Sequence, residues 1–234
     1  MMTNDAAIIA RRSGAMLVGL LAAILLAPSS GEAGQQYRAK RMKRVRALVL
    51  VDLQNDFMPG GALAVTRGNE VVRVANRLMP HFDAVYASKD WHPANHSSFV
   101  EQGGPWPVHC VQNTKGAAFH PALKTKWIKT VVYKGTDPAK DAYSAFEGTD
   151  LIQQVVRDKV TGLYFMGLAT EYCDKATAMD AQNLKLKKQF GFNVHLLTEG
   201  CRAVNVNPGD GQRAIEEMRD SGIIIVDNAA ALGL

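Results

Sequence analysis

Asp52, Lys134 and Cys173 each stand at or just beyond the end of an apolar run that has the composition of a buried strand. A thiol can attack a carbonyl carbon, a carboxylate can carry its proton, and an ammonium group favours the thiolate. Cys173 also lies near the start of a predicted helix, where the helix dipole lowers the pKa of a thiol. Taken singly, each residue also suits an ordinary structural role: Asp52 as a turn residue, Lys134 as a surface lysine and Cys173 as a buried thiol. Together they are candidates for an acyl-transfer site.

A second cluster combines one carboxylate with three imidazoles. Asp90 and His92 are two residues apart, so they project to the same side of an extended segment, and His96 and His109 follow. A carboxylate and two imidazoles with open coordination positions suit Zn, Fe or Mn. Spacing alone leaves a non-metal role open, because three of the six histidines can share one window by chance.

Six apolar runs predict the strands that position these residues. The runs are apolar throughout, which is typical of strands buried on both faces of a parallel sheet. Helical patterns occupy the intervals, so we predict an α/β fold with a doubly wound, mostly parallel six-stranded sheet and helices on both faces. Ligands of such sheets bind beyond the carboxyl ends of the strands. The predicted strands are residues 47–51, 84–87, 130–133, 163–166, 193–197 and 222–226, and the predicted helices are residues 69–79, 150–160, 172–189 and 208–220.

The composition restricts the class of protein. The chain has 234 residues, of which 47% are hydrophobic and 21% charged, which indicates one globular domain and excludes a disordered or polytopic membrane protein. Three cysteines are too few for a disulfide scaffold. Residues 38–46 contain six basic side chains, more than the net charge of +5, so the excess positive charge is local. We therefore expect no nucleic-acid partner.

Residues 1–33 have the layout of a secretory signal peptide. Arg11 and Arg12 precede the apolar run 15–27, and small residues follow at 31–33. This run is too short for a comfortable transmembrane helix. We predict a signal peptide at 1–33, a basic linker at 34–46 and the folded domain at 47–234, with a periplasmic or secreted product that meets the membrane only through its export signal.

Two observations oppose export. Positive charge directly after an apolar segment tends to stay cytoplasmic, and residues 38–46 are strongly basic. Met42 would also make a natural start for a cytoplasmic protein, because it lies directly before the first strand. The paired arginines leave the choice between general and twin-arginine export open.

Three sequence blocks resemble the signature blocks of the isochorismatase-like cysteine hydrolases. The blocks are VDLQNDF at residues 51–57, KGTD at residues 134–137 and GLATEYC at residues 167–173. The resemblance extends in order from about Arg46 to the C terminus. It implies that Asp52, Lys134 and Cys173 form a catalytic triad. It also implies a cis peptide before Ala169, so that the amides of Ala169 and Cys173 form an oxyanion hole.

Two further blocks are similar to those of the nicotinamidases within this superfamily. They are DWHP at residues 90–93 and WPVHC at residues 106–110. The resemblance implies Asp90, His92 and His109 as ligands of one divalent metal ion, with Zn first and Fe or Mn as alternatives. His96 either completes the coordination directly or acts through a water, as differs among relatives.

The resemblance also implies a reaction. It is the hydrolysis of nicotinamide to nicotinate and ammonia through a cysteine thioester, with pyrazinamide as a second substrate. Phe57, Trp106 and Tyr143 match the family positions that enclose the substrate ring, and flat aromatic walls suit a flat heteroaromatic ring. Ordinary core packing is the alternative role for these three side chains.

Two other functions stay open at this stage. One is another amidase of the superfamily that acts on a carbamoyl or ureido substrate. The DWHP and WPVHC blocks oppose it, since such substrates lack a pyridine nitrogen that could bind a metal. The other is a non-catalytic exported protein that binds a metal or nicotinamide, which the joint presence of Asp52, Lys134 and Cys173 opposes.

Two features need the structure. Asp174 follows the candidate nucleophile where relatives often carry an apolar residue such as Val, and it either raises the pKa of the thiol or points into solvent. Cys110 and Cys201 could pair in an oxidising compartment and leave Cys173 free.

Overall fold

The computed structural model describes residues 44–188 and 190–233. The predicted signal peptide at 1–33 and most of the predicted linker at 34–46 lie outside the described residues. Among the helices of the described ranges, none is both long and apolar enough to span a membrane.

The six predicted strands form one sheet, in which every neighbouring pair is parallel. The strands are β1 (Arg46–Val51), β2 (Ala84–Asp90), β3 (Thr130–Lys134), β4 (Gly162–Leu168), β5 (Asn193–Arg202) and β6 (Ile224–Val226). Their order across the sheet is β3-β2-β1-β4-β5-β6. The predicted α/β fold is therefore confirmed.

The centre of the sheet is the centre of the core. Strand β4 is buried along its whole length, and β1 is buried from Ala47 onward. Leu48, Leu50, Leu163 and Phe165 are all 0% exposed. Burial on both faces explains why these runs are continuously apolar instead of alternating.

Four helices connect the strands. They are α1 (Gly68–Leu78), α2 (Leu151–Arg157), α3 (Lys175–Lys188) and α4 (Asp210–Asp220). The chain runs toward one edge of the sheet from β1 to β3 and toward the other edge from β4 to β6. Right-handed crossovers therefore place α1 on one face and the other three helices on the opposite face.

The strand order creates one crevice at the carboxyl end of the sheet. Strands β1 and β4 are neighbours, but the chain leaves them in opposite directions. Ligands of doubly wound sheets bind at such a switch point. Asp52 directly follows β1, and a single π-helical turn, Thr170–Asp174, follows β4 and leads into α3.

Candidate active site

Lys134 brings the three predicted triad residues together. Its side chain is fully buried at the end of β3, and Nζ lies 3.0 Å from Asp52 Oδ2 and 3.3 Å from Cys173 Sγ. Ser88 Oγ donates a hydrogen bond to Asp52 Oδ1 at 2.7 Å and so fixes the other carboxylate oxygen. A nucleophile, a proton carrier and a cation thus meet at the carboxyl ends of β1, β3 and β4.

Asp52 is held in an unusual conformation. Its φ is 53°, in the left-handed region, which costs a non-glycine residue about 1 kcal/mol and needs support from the surrounding structure. Oδ2 has no assigned hydrogen-bond partner among the described residues and lies 3.0 Å from the Lys134 ammonium nitrogen. A carboxylate oxygen of Asp52 also lies within 4.8 Å of the Cys173 thiol. The Asp52 carboxylate therefore lies near the thiol whose proton it is predicted to carry.

The buried charges hold Lys134 as an ammonium group. Nζ also donates to Asp90 Oδ1 and, at 3.2 Å, to the carbonyl oxygen of Ala142. Burial alone would lower the pKa of Lys134, but the carboxylates of Asp52 and Asp90 raise it well above its ordinary value. Burial likewise opposes ionisation of Asp90, yet Lys134 holds the pKa of that carboxyl below its usual range.

Burial shifts the pKa of the candidate nucleophile, Cys173, in the direction opposite to the one expected. The Cys173 thiol is buried, and this raises its pKa well above the ordinary value; Lys134 lowers the pKa, while Asp52 and Asp90 raise it further. The net shift of the pKa is therefore opposite to the one expected for a thiol at a helix start, because burial outweighs the lowering by Lys134. A protonated thiol needs a neighbouring base before it can attack.

One turn contains both predicted oxyanion-hole amides. The Leu168–Ala169 peptide bond is cis, as the resemblance implied. Beyond it, the amides of Tyr172 and Asp174 donate to the carbonyl oxygen of Ala169 at 3.0 and 3.2 Å. Ala169 and Cys173 are thus joined by one hydrogen-bonded turn.

The predicted metal ligands converge beside the triad. Asp90 Oδ2 lies 3.6 Å from His92 Nε2 and 3.8 Å from His109 Nε2, and all three residues are buried. His92 Nδ1 contacts the carbonyl oxygen of Gly135 at 2.9 Å, and His109 Nδ1 contacts that of Pro107 at 2.7 Å. Since a carbonyl only accepts, each Nδ1 carries the proton and each Nε2 keeps a lone pair for a metal. This donor set fits a divalent metal ion.

His96 lies next to this cluster but is bonded elsewhere. Its ring packs against His92 at a centroid distance of 4.1 Å. Nδ1 lies 2.7 Å from Ser98 Oγ, and Nε2 lies 3.2 Å from the carbonyl oxygen of Lys140. In this arrangement both ring nitrogens are engaged, so a direct role of His96 as a ligand would require a change of partners. Its role stays a prediction.

Two residues that the sequence did not single out fix the metal cluster. The Gln54 side chain donates to the carbonyl oxygens of Asp90 (2.7 Å) and Ala117 (3.1 Å) and accepts from the Asp90 amide (2.8 Å). Gly135 lies so close to His92 that an added Cβ would sit 2.4 Å from its Cε1. The only sequence signals were their places in the VDLQNDF and KGTD blocks.

The three predicted aromatic residues line one pocket with Cys173 and with Asp90, His92 and His109. Its empty volume is about 470 Å³, which includes space open to solvent. Trp106 Nε1 donates to Tyr143 Oη at 2.9 Å, and the ring of Phe57 packs edge-on against His109 at 5.7 Å. Tyr172 was missed, although its ring meets Trp106 at 5.1 Å. The pocket is also lined by Leu63, Val65, Asp141 and Val204.

The structure answers both open questions on single residues. Cys110, Cys173 and Cys201 are all free and buried, so the considered pairing of Cys110 with Cys201 is not formed. Asp174 is 0% exposed, so the alternative that it points into solvent is wrong. The charges that shift the pKa of Cys173 come from Lys134, Asp52 and Asp90.

The fold and the sequence together define the family. Residues 46–230 match the Isochorismatase domain, and the chain belongs to that family. It is 45% identical over 202 residues to the nicotinamidase of Escherichia coli (strain K12), covering 76% of this chain and 92% of the relative. It is 37% identical over 193 residues to the nicotinamidase/pyrazinamidase of Mycobacterium tuberculosis (strain ATCC 25618 / H37Rv), covering 78% and 98%. Within the isochorismatase family, the chain therefore belongs to the nicotinamidase/pyrazinamidase family.

Solved structures share the same fold. The pyrazinamidase of Pyrococcus horikoshii in complex with zinc is 45% identical, with a TM-score of 0.70, and the match covers 78% of this chain and 99% of that chain. PnC1 of L. infantum in complex with nicotinate is 34% identical, with a TM-score of 0.71 and coverages of 78% and 92%.

Proposed function

We propose that this protein is a metal-dependent nicotinamidase that hydrolyses nicotinamide to nicotinate and ammonia through a cysteine thioester, and that it also hydrolyses pyrazinamide. The contact of Lys134 Nζ with both the Asp52 carboxylate and the Cys173 thiol is the observation that carries this proposal. The similarity to nicotinamidases over most of the chain supports the choice of substrate.

The pocket suits a small, flat heteroaromatic amide. The aromatic side chains of Phe57, Trp106 and Tyr143 enclose a ring, and the hydrogen bond from Trp106 to Tyr143 holds two of these walls together. A divalent ion held by Asp90, His92 and His109, with zinc first and iron or manganese as alternatives, would supply an anchor for the pyridine nitrogen. The same pocket contains Cys173, so an anchored ring can present its amide to the thiol.

The first half of the reaction forms the thioester. Asp52 accepts the proton of the Cys173 thiol while Sγ attacks the amide carbon. The Lys134 ammonium balances the negative charge that develops near Sγ, and the amides of Ala169 and Cys173 donate to the oxyanion. The carbon–nitrogen bond then breaks, and Asp52 returns its proton to the leaving ammonia.

The second half releases the acid. Asp52 accepts a proton from a water molecule, whose oxygen attacks the thioester carbon. The same amides of Ala169 and Cys173 stabilise the second oxyanion. The carbon–sulfur bond breaks, Asp52 returns its proton to Sγ, and the acid leaves a site restored to its starting protonation state. The acid becomes nicotinate by losing its carboxyl proton to solvent.

Ammonia release from nicotinamide by purified residues 34–234, measured with and without a chelator, tests this proposal. We expect chelator-sensitive release. The Cys173→Ala variant is the matched control, since it should release no ammonia while binding metal like the wild type. If folded protein with bound metal and reduced thiol releases no ammonia, the proposal is wrong and a carbamoyl or ureido substrate or a binding role takes its place.

We also propose that the protein is exported and that the mature chain begins near Gly34. The apolar run at residues 15–27 between paired arginines and small residues supports this. The family match begins only at residue 46, beyond this segment. Mass spectrometry of the native protein tests the proposal, and an N terminus at Met1 or Met42 would contradict it.

A further inference from the structure

Asp174, the residue directly after the candidate nucleophile, is buried without a partner. It ends the π-helical turn Thr170–Asp174 and is 0% exposed. Neither carboxylate oxygen has a hydrogen-bond partner among the described residues. A buried, unpaired carboxylate costs several kcal/mol more than the neutral acid, so this environment favours the protonated form.

The titratable groups that face Asp174 do not balance a negative charge. They are Cys201 of β5, Asp52 after β1 and Glu171 of the same turn. The Cys201 thiol lies beside the carboxyl but donates to the carbonyl oxygen of Leu197 at 3.3 Å, so it leaves the Asp174 oxygens unsatisfied. The two carboxylates disfavour ionisation of Asp174, and only the thiol, which already donates elsewhere, acts in the other direction.

The helices packed on this turn do not supply a cation either. The buried residues of α3 and of α4 are uncharged. Lys175, the next residue along the chain, forms its ion pair with Glu217 of α4. Burial therefore raises the pKa of Asp174 to about 8; Asp52 and Glu171 act in the same direction, and Cys201 opposes them.

The backbone of Asp174 links it to the reacting groups. Its amide donates to the carbonyl oxygen of Ala169 at 3.2 Å, and it is bonded directly to Cys173. Any movement of Asp174 therefore changes the spacing between the Ala169 and Cys173 amides that form the proposed oxyanion hole. A charged Asp174 side chain can reach water only if this turn moves.

We propose that Asp174 is a positioning residue that keeps the turn carrying Cys173 in its reactive arrangement only as the neutral acid, so that ionisation of Asp174 opens the turn and stops the reaction. This inference rests on the proposed hydrolysis of nicotinamide. The group acts on the reaction through the turn and does not touch the substrate.

The test compares kcat for nicotinamide at about pH 7 and about pH 9, within each of three metal-loaded proteins. For the wild type we expect kcat to fall about tenfold, because a group with a pKa of about 8 is about nine-tenths protonated at the lower pH and about one-tenth at the higher. Asp174→Asn keeps the shape of the side chain but cannot ionise. Its kcat should therefore differ less than about twofold between the two pH values, whatever its activity at neutral pH. Cys201→Ala removes the neighbouring thiol and should retain the tenfold fall.

Two results would overturn the proposal. If kcat falls equally between the two pH values in the wild type and in Asp174→Asn, the role of Asp174 is purely structural, because a structural role changes kcat by the same factor at both pH values. Loss of the fall in Cys201→Ala would assign it to that thiol.

A second measurement does not depend on activity. The free energy of unfolding in urea should decrease from about pH 5 to about pH 8 in the wild type relative to Asp174→Asn, because only the wild type must keep a carboxyl neutral on folding. If the wild type releases no ammonia at any pH, the proposed function is wrong and the positioning role falls with it, but this difference still shows whether Asp174 is buried as the acid. If the two proteins have parallel pH profiles of unfolding, Asp174 is not neutral and the inference is wrong on its own.

Discussion

Replacing Gly135 by alanine should displace His92, which we propose as a metal ligand. Gly135 has φ 63°, and an added Cβ would lie 2.4 Å from Cε1 and 2.6 Å from Nδ1 of His92. The ring has little freedom to retreat, because Nδ1 is held by the Gly135 carbonyl oxygen at 2.9 Å and the ring packs against His96 at 4.1 Å. The imidazole must therefore rotate or shift, which moves Nε2 away from Asp90 and His109.

Gly148→Ala is the matched control. Gly148 has φ 68°, but nothing lies within 4 Å of its added Cβ. Both substitutions force alanine into the left-handed region, at a cost of about 1 kcal/mol in the free energy of unfolding. Only Gly135→Ala also disturbs the shell around a ligand, which typically weakens metal affinity about 10- to 100-fold. We expect this loss in Gly135→Ala and wild-type affinity in Gly148→Ala.

Zinc affinity is measured by competition with a chromogenic chelator, and the free energy of unfolding by urea titration of the metal-free proteins. Equal zinc affinities of the two variants would refute the reasoning, since they would show either that His92 is not a ligand or that its ring moves without cost. A fall in both variants would point to the backbone conformation instead of the contact with His92.

Three other substitutions test separate parts of the site. Cys173→Ala should abolish ammonia release but leave the zinc content unchanged by elemental analysis; activity that survives would contradict the thioester. Gln54→Leu leaves the amide and carbonyl of Asp90 without their partners, so urea unfolding should show a loss of about 2–4 kcal/mol. Asp174→Val should stabilise the protein by up to about 5 kcal/mol at pH 8 and above, and by about zero near pH 4, since burial raises the pKa of Asp174 to about 8 and the wild type loses stability as pH rises from about 4 to that value. Parallel pH profiles of unfolding for Asp174→Val and the wild type would contradict the last prediction.

The number of strands, their places along the chain and their parallel pairing could be predicted from apolar runs, but not the ends of the strands. Strand β2 was expected to end at Ala87 and continues to Asp90, and β5 continues past Leu197 to Arg202. Polar residues extend a buried strand when distant partners satisfy them. Gln54, 36 residues away in the chain, supplies those partners to the backbone of Asp90. A local pattern does not contain that information.

The candidate site also has features that could be predicted from the sequence and features that could not. The convergence of Asp52, Lys134, Asp90 and the turn that carries Cys173 followed from the rule that parallel strands present their carboxyl ends at one edge, whereas the grouping of Asp90 with His92 and His109 followed from the resemblance. The pKa of Cys173 did not follow, because it depends on burial, which outweighs the favourable charge of Lys134. The hydrogen-bond partners of His96 could not be predicted from the sequence either, since one of them is the carbonyl oxygen of Lys140, in a loop 44 residues away in the chain.

Strand register holds the two halves of the site together. Asp90 and Lys134 are register partners at the ends of β2 and β3, and Val51, which precedes Asp52, is the partner of Gly167 near the end of β4. Asp90 directs one oxygen to Lys134 and the other to the histidines, so the triad and the metal cluster share this pair. Side chains alternate between the faces of a strand, and a shift of one residue in β3 would turn Lys134 away and bring the half-exposed Tyr133 inward. The chemistry of the site therefore depends on the sheet itself, and the loops complete a geometry that two register pairs have already set.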